Sequence, residues 1–353
     1  MPVPTEVSTE TPESPKRGQT TLYEASTQFR NWRFSRSQLS KTRQSLNEAA
    51  VEAIRDTFEA DSPGSSSDIS FLNADEERLL VKLYITKIPQ LCSHFGFPEE
   101  VEATATSYLK RFYLKNTVMD WHPKNVMLTA LFLATKTANQ PIPIDVYTSR
   151  IPKTSASDVL DLEFLVAQSL GFEFTVWHAY RALWGIWLDI QSLPDYPKDS
   201  IAEIYNSAKI HVRAARLTDA ELIYTPSQIA LAAFSLASPN IAALWTHAKS
   251  SDSILQIIEP LKQMILQDSR APDVETVRDI DRRLKLCKNP EKVVGSKVYL
   301  AKKAEEDRIA AEKRRKKADE IRKAMEENDP FNEDTANKKT LDDAVNEALE
   351  DDD

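Results

Sequence analysis

Between His122 and Lys136 the chain reads HPKNVMLTALFLATK, and from Val126 to Thr135 it carries no charge. The spacing predicts a helix with leucines, alanines and Phe132 on every face, and a helix apolar all round has to be buried on all sides. Pro123 supplies its first position, where a missing N–H costs nothing. The run is too short to cross a bilayer, which takes ~20 apolar residues. It therefore reads as the central helix of a globular helical domain. Its last residue, Lys136, is a lone cation at the rim of an apolar core.

That helix occurs twice. Pro226-Ser-Gln-Ile-Ala-Leu-Ala-Ala-Phe-Ser-Leu-Ala-Ser repeats it, with Pro123/Pro226, Leu128/Leu231, Ala130/Ala233, Leu133/Leu236 and Ala134/Ala237 identical. A spacing of about 100 residues exceeds the ~20–50 of a solenoid unit and is the length of a whole domain. The expected fold is all-α: two tandem copies of one five-helix domain, with extra N- and C-terminal helices and disordered tails. Only the first copy has the lysine, because Pro239 stands where Lys136 would map.

Proline, glycine and composition shifts divide the chain. Residues 1–22 are rich in Pro, Thr, Ser and Glu and cannot bury enough apolar area to fold. They lack the apolar stretch of a signal peptide, and Thr11-Pro12 and Ser14-Pro15-Lys16-Arg17 resemble targets of proline-directed kinases. Residues 23–60 open with aromatics in a basic setting, including Trp32 and Phe34. Ser35 and Gln38 then form a capping box, and Leu39, Leu46, Ala50, Ile54 and Phe58 a helical stripe. Such a segment, headed by Trp32, Phe34 and Leu39, either docks back on the repeats or meets a partner. Residues 61–70 are a linker.

The first domain spans 71–174. Its opening helix is capped by Asn73 with Glu76 and is expected to run to Pro89 or just past it. A helix from Pro98, the central helix, a short element near 143–150 and a helix from Ser155 or Ser157 to Gly171 complete it. The second domain, 175–270, is punctuated in the same way. A helix at 271–290, a charged helix at 291–327 and an acidic disordered tail at 328–353 follow. Within the charged helix, Glu312 and Lys316 make a supportive i,i+4 pair, and Lys313–Lys317 (KRRKK) could serve as a nuclear-import signal.

Charge is unevenly placed. The whole chain is −9, yet the last 26 residues hold ten acids and two lysines, whereas residues 70–288 hold 23 basic and 25 acidic side chains. The body is nearly neutral, without the basic excess of a duplex-binding protein. Six glycines, none closely spaced, exclude phosphate-binding glycine loops, and the five histidines form neither a zinc-protease nor a Cys/His zinc pattern. Cys92 and Cys287, far apart, suggest reduced structural thiols in an intracellular protein. No catalytic residue, cofactor or metal site is expected. What remains is a binding module.

Tyr108-Leu-Lys-Arg-Phe112, the central helix ending in Ala134-Thr-Lys136, and Leu162-Glu-Phe-Leu165 followed by Leu170-Gly-Phe172 resemble the cyclin box. Phe71-Leu-Asn-Ala-Asp-Glu-Glu77, the run from Lys110 to Pro123, Leu217–Leu231 and Asn31-Trp-Arg-Phe-Ser35 are similar to the cyclin H branch of that family. The resemblance implies a regulatory subunit that binds and activates a cyclin-dependent kinase, of the CDK-activating-kinase and TFIIH type. It further implies a RING-finger assembly factor, indirect contact with the TFIIH core, nuclear localisation, and no direct contact with nucleic acid or membrane.

In the family, a lysine ending the central helix and a glutamate on the fifth helix hold the kinase's regulatory C-helix region. Those positions are Lys136 and Glu163, with Leu133, Phe172 and Phe174 at positions packing against the same element. Glu259 is the counterpart of Glu163 in the second copy. Two departures stand out. Lys110 replaces the aspartate that mitotic cyclins carry before Arg-Phe, and Glu77–Tyr84 does not match their Met-Arg-x-x-Leu…Trp substrate-recruiting patch. The alternative reading is a TFIIB-like double-cyclin-fold transcription factor binding DNA, which should bring a zinc ribbon and a basic body.

Overall fold

The computed structural model describes residues 21–193, 200–249, 251 and 253–327; residues 1–20 and the acidic tail from 328 lie outside them. The described residues are helical, without a strand. Helices α1 (Thr27–Asn31) and α2 (Arg36–Asp61) precede the first box. That box comprises α3 (Ala74–Ile85), α4 (Ile88–Phe95), α5 (Glu99–Phe112), α6 (Pro123–Thr137), α7 (Ile144–Ser149) and α8 (Ser157–Ser169). The second comprises α9 (Ala179–Ile190), α10 (Ile201–Ala215), α11 (Ala220–Ile223), α12 (Pro226–Ala237), α13 (Pro239–Ala248), α14 (Ile254–Ile257) and α15 (Glu259–Asp268). Helices α16 (Val274–Cys287) and α17 (Lys297–Glu327) follow.

Each central helix is buried as its composition requires. Every residue from Val126 to Thr135 of α6 is buried, and α5, α8 and α3 pack around it. Helix α12 is enclosed in the same way by α10, α9, α13 and α15, with Ala230, Ala232, Ala233 and Phe234 wholly inaccessible. Alanines at these positions let the surrounding helices approach closely, and Leu128 and Leu231 fill the equivalent interior positions.

One element departs from expectation. The opening helix of the first box does not run through Pro89: it stops at Ile85, and α4 starts afresh at Ile88. Pro89 has no N–H to give the Ile85 carbonyl and fits the first turn of a new helix instead. Two of the caps read from sequence are present, whereas α8, expected to be capped by Ser155 or Ser157, starts at Ser157 behind Ala156, which makes no side-chain cap bond. Asn73 and Glu76 form a reciprocal capping box, and Gln38 N donates to Ser35 Oγ (3.1 Å) while Ser35 N donates to Gln38 Oε1 (2.7 Å).

By contact density the chain forms two units, Met1–Glu48 with Leu72–Arg282, and Ala49–Phe71 with Arg283–Asp353. In the first, the N-terminal segment lies on the boxes. Trp32 and Leu39 are buried with Leu114 of the first box and Leu222 of the second, and Phe34 packs against them. Phe34 N donates to the Leu222 carbonyl (2.7 Å), Arg33 to the Ile223 carbonyl (3.1 Å), and Arg43 makes a bidentate pair with Asp219 (2.7 and 2.8 Å). In the second unit, Arg283 reaches Ser70 (3.5 Å) and Lys297 reaches Asp61 (3.4 Å), which brings the two flanking segments together. Most α17 side chains are exposed, and Glu312 pairs with Lys316 at 3.0 Å.

Candidate functional site

The last turn of α6 carries Lys136, and α8 runs alongside. Lys136 Nζ lies 2.5 Å from Glu163 Oε1 and 4.5 Å from the centre of the Phe132 ring one turn back. The Lys136 side chain is 43% exposed and that of Glu163 22%, so this is a pre-formed ion pair at a surface, open on one side. An ammonium has three donors and a carboxylate several acceptor sites. After pairing, both groups keep capacity for main-chain carbonyls and amides of a partner.

Around the pair lies apolar surface. Phe164, the residue after Glu163, is 68% exposed, Leu160 one turn before it 42%, and Phe172 55%. The rings of Phe164 and Phe172 are 6.1 Å apart, and those of Phe172 and Phe174 6.3 Å apart. Exposed aromatics grouped this way mark an interaction surface. Leu133, by contrast, is 6% exposed and belongs to the core. Trp32, Phe34 and Leu39 belong to the separate self-docked cluster.

Phe164 and Leu160 escaped the sequence reading. A signal was available: Val159, Val166 and Ser169 already give α8 a buried face, and Leu160 and Phe164 form a second apolar stripe off that face.

The backbone after α8 is tightly specified. Gly171 N bonds to the Gln168 carbonyl (2.9 Å) and Phe172 N to the Ala167 carbonyl (3.0 Å), a Schellman termination. Gly171 adopts a left-handed φ of 63°. Phe172 follows at 58°, where a β-carbon costs roughly 1–2 kcal/mol. Beyond it, the Tyr108 hydroxyl donates to the Phe174 carbonyl at 2.6 Å. Burial pushes the Tyr108 phenol up to about 12, so it remains a donor across the physiological range.

Both departures from the mitotic pattern acquire a structural role. Lys110 is 6% exposed; its Nζ donates to the Thr218 carbonyl (2.7 Å) and lies 3.1 Å from Glu221 Oε1, tying the first box to the second. Glu77 is 8% exposed and accepts from Val118 N (2.9 Å) and from Asn47 Nδ2 of α2 (2.5 Å). Burial raises its carboxyl to about 7. Where mitotic cyclins have a recruiting patch, this chain has a buried carboxylate covered by its own N-terminal helix.

Comparison with known proteins agrees with the two-box division. A cyclin N-terminal domain model matches residues 69–175 and a cyclin C-terminal domain model residues 178–267. The cyclin mcs2 of Schizosaccharomyces pombe is 31% identical over 314 residues, covering 87% of this chain and 97% of that protein. Cyclin-H1-1 of Arabidopsis thaliana is 27% identical over 298 residues, covering 75% of this chain and 88% of that one. Among solved structures, a chain of the CAK complex from Chaetomium thermophilum bound to ATP-γ-S superposes with a TM-score of 0.73 at 29% identity, covering 81% of this chain and 94% of its own. These matches favour a regulatory cyclin over the DNA-binding alternative. The chain belongs to the cyclin family, within its cyclin H branch.

Proposed function

We propose that this chain is the regulatory cyclin of a CDK-activating kinase of the TFIIH type, holding the catalytic subunit in its active conformation while performing no chemistry itself. The observation that carries this reading is the Lys136–Glu163 pair set beside exposed Phe164 and Phe172 at the edge of the first box. A kinase is active when its C-helix is docked so that a glutamate there pairs with the ATP-positioning lysine. A rigid face that binds the docked C-helix better than the displaced one shifts the population toward activity. Lys136 offers N–H donors and Glu163 an acceptor to main-chain groups of that region, and the phenylalanines cover its apolar side. Because the ion pair already exists, little side-chain ordering remains to be done on binding.

The resemblance to cyclin H extends the reading to a RING-finger assembly factor as third subunit, to indirect contact with the TFIIH core, and to a nuclear location. Within the Lys313–Lys317 stretch of α17, residues 313–316 are exposed, which supports the last of these. The body's near-neutral charge supports action through proteins rather than nucleic acid. No described helix is long and apolar enough to cross a membrane. Reconstitution with a purified catalytic subunit tests the proposal: kinase activity should depend on added cyclin. A kinase equally active without this chain would overturn it.

A further inference from the structure

The proposed kinase face includes one residue whose backbone is held against its own preference. Phe172 sits at φ 58° directly after the left-handed Gly171. Glycine adopts that region freely, but a phenylalanine there is uncommon and persists only where its surroundings over-determine it. Its ring is 55% exposed, between Phe164 and Phe174.

The determinants lie on both sides of Phe172. Following it, the Glu173 carboxylate accepts from Trp32 Nε1 (2.5 Å) and from Asn31 Nδ2, while the Glu173 carbonyl accepts from Arg111 (3.3 Å). The next carbonyl, that of Phe174, is held by Tyr108. Trp32 itself is fixed. It is 3% exposed, with the Arg111 guanidinium and the Lys115 ammonium each 5.0 Å from its ring. The two donors to the Glu173 carboxylate therefore come from a segment outside both boxes. That same segment is bonded to the second box at Leu222 and Ile223.

We infer that the Trp32–Glu173 clamp positions Phe172 for the partner kinase, so that docking of the N-terminal segment and binding of the kinase reinforce one another. This rests on the kinase-docking reading of Phe172. Trp32 and Glu173 need not touch the kinase: they act through the conformation of residues 171–174. Without the clamp, Phe172 relaxes out of the left-handed region and its ring leaves the docking surface. Coupling of this kind is reciprocal, so bound kinase in turn protects the N-terminal segment.

The test is a double-mutant cycle on the full chain, read as Kd for the purified catalytic subunit. Trp32→Phe keeps an aromatic ring and deletes the Nε1 donor. It should weaken binding by about three- to tenfold, less than the loss of a direct contact. Glu173→Gln should behave alike. In a Phe172→Ala background neither substitution should weaken binding further. A purely structural role would instead lower affinity by the same factor in both backgrounds, and that result overturns the clamp while leaving the docking surface intact. Wild-type affinity in Phe172→Ala alone would remove Phe172 from the interface and overturn both. Melting curves of every variant, and hydrogen exchange at residues 171–174, separate loss of the clamp from unfolding. Exchange there should rise in Trp32→Phe by more than its loss of global stability accounts for.

Discussion

The two boxes are built on the same helix and end it differently. Both central helices begin with proline behind a capped position. His122 Nδ1 accepts from Lys124 N (3.1 Å), and Thr225 forms a capping box with Gln228. Both are enclosed by neighbouring helices. Helix α12, however, stops at Ala237, because Pro239 excludes the helical region for the residue before it and Ser238 is extended (φ −153°, ψ 96°). Helix α6 continues to Thr137 and closes at Asn139, a residue that tolerates its left-handed φ of 56°. The additional turn is what carries Lys136. Glu259, for its part, pairs with Lys262 (2.7 Å) and Gln263 (3.2 Å) within its own helix, whereas Glu163 reaches across to another. The repeated interior makes the fold, and the divergent rim distinguishes the box proposed here to bind a kinase.

That division can be broken first at the interiors. Leu128→Ala in α6 and Leu231→Ala in α12 remove equivalent side chains, 1% and 2% exposed. Each should cost about 2–5 kcal/mol in denaturant unfolding. For Leu231→Ala the molecules that remain folded should keep full kinase affinity. A large inequality between the two costs would show that the interiors are less alike than their sequences.

A smaller effect sharpens the comparison at two buried titrating groups. His178, at the start of the second box, lies 3.0 Å from Thr104 Oγ1 of the first, and burial lowers its pKa to about 3. Below pH ~6.5 the unfolded chain takes up a proton that folded His178 refuses, so its contribution falls with acidification by up to ~1.4 kcal/mol per pH unit. Glu77 behaves oppositely. With its folded pKa raised to about 7, the folded state binds the extra proton between pH 7 and its ordinary 4.5, so this contribution rises on acidification through that window. Between pH 5 and ~6.5 the two slopes oppose one another, so melting midpoints should rise on acidification below about pH 7 in His178→Gln and fall on acidification below pH ~6.5 in Glu77→Gln. Unchanged profiles in both variants would place the pH dependence elsewhere.

These features also mark what could be read from the chain alone. The central helices, the Asn73 and Ser35 caps and the Glu312–Lys316 pair follow from spacing within a few residues, where local chemistry decides. The break at Thr86 was missed because Pro89 could equally end one helix or start the next. Leu133, which the resemblance put among the kinase-packing positions, is 6% exposed, since an apolar residue at the end of a buried helix can serve either side. The clamp on Glu173 was invisible for a different reason. Its donors lie 141 and 142 residues away, and only the folded N-terminal segment brings them there.

The most direct test of the account compares the rims. A binding titration of the catalytic subunit against Lys136→Ala, Glu163→Ala and Glu259→Ala should be run beside a melting curve for each. Truncating one partner of a charged hydrogen bond that becomes desolvated in an interface typically costs ~2–5 kcal/mol, and ~1.4 kcal/mol is a factor of ten. Both first-box variants should therefore bind at least tenfold more weakly, with Glu259→Ala at wild-type affinity. All three should melt nearly as the wild type does, because an exposed lysine at a helix end contributes under about 1 kcal/mol to folding. Normal affinity in Lys136→Ala and Glu163→Ala would reduce the pair to a surface ion pair and contradict the account.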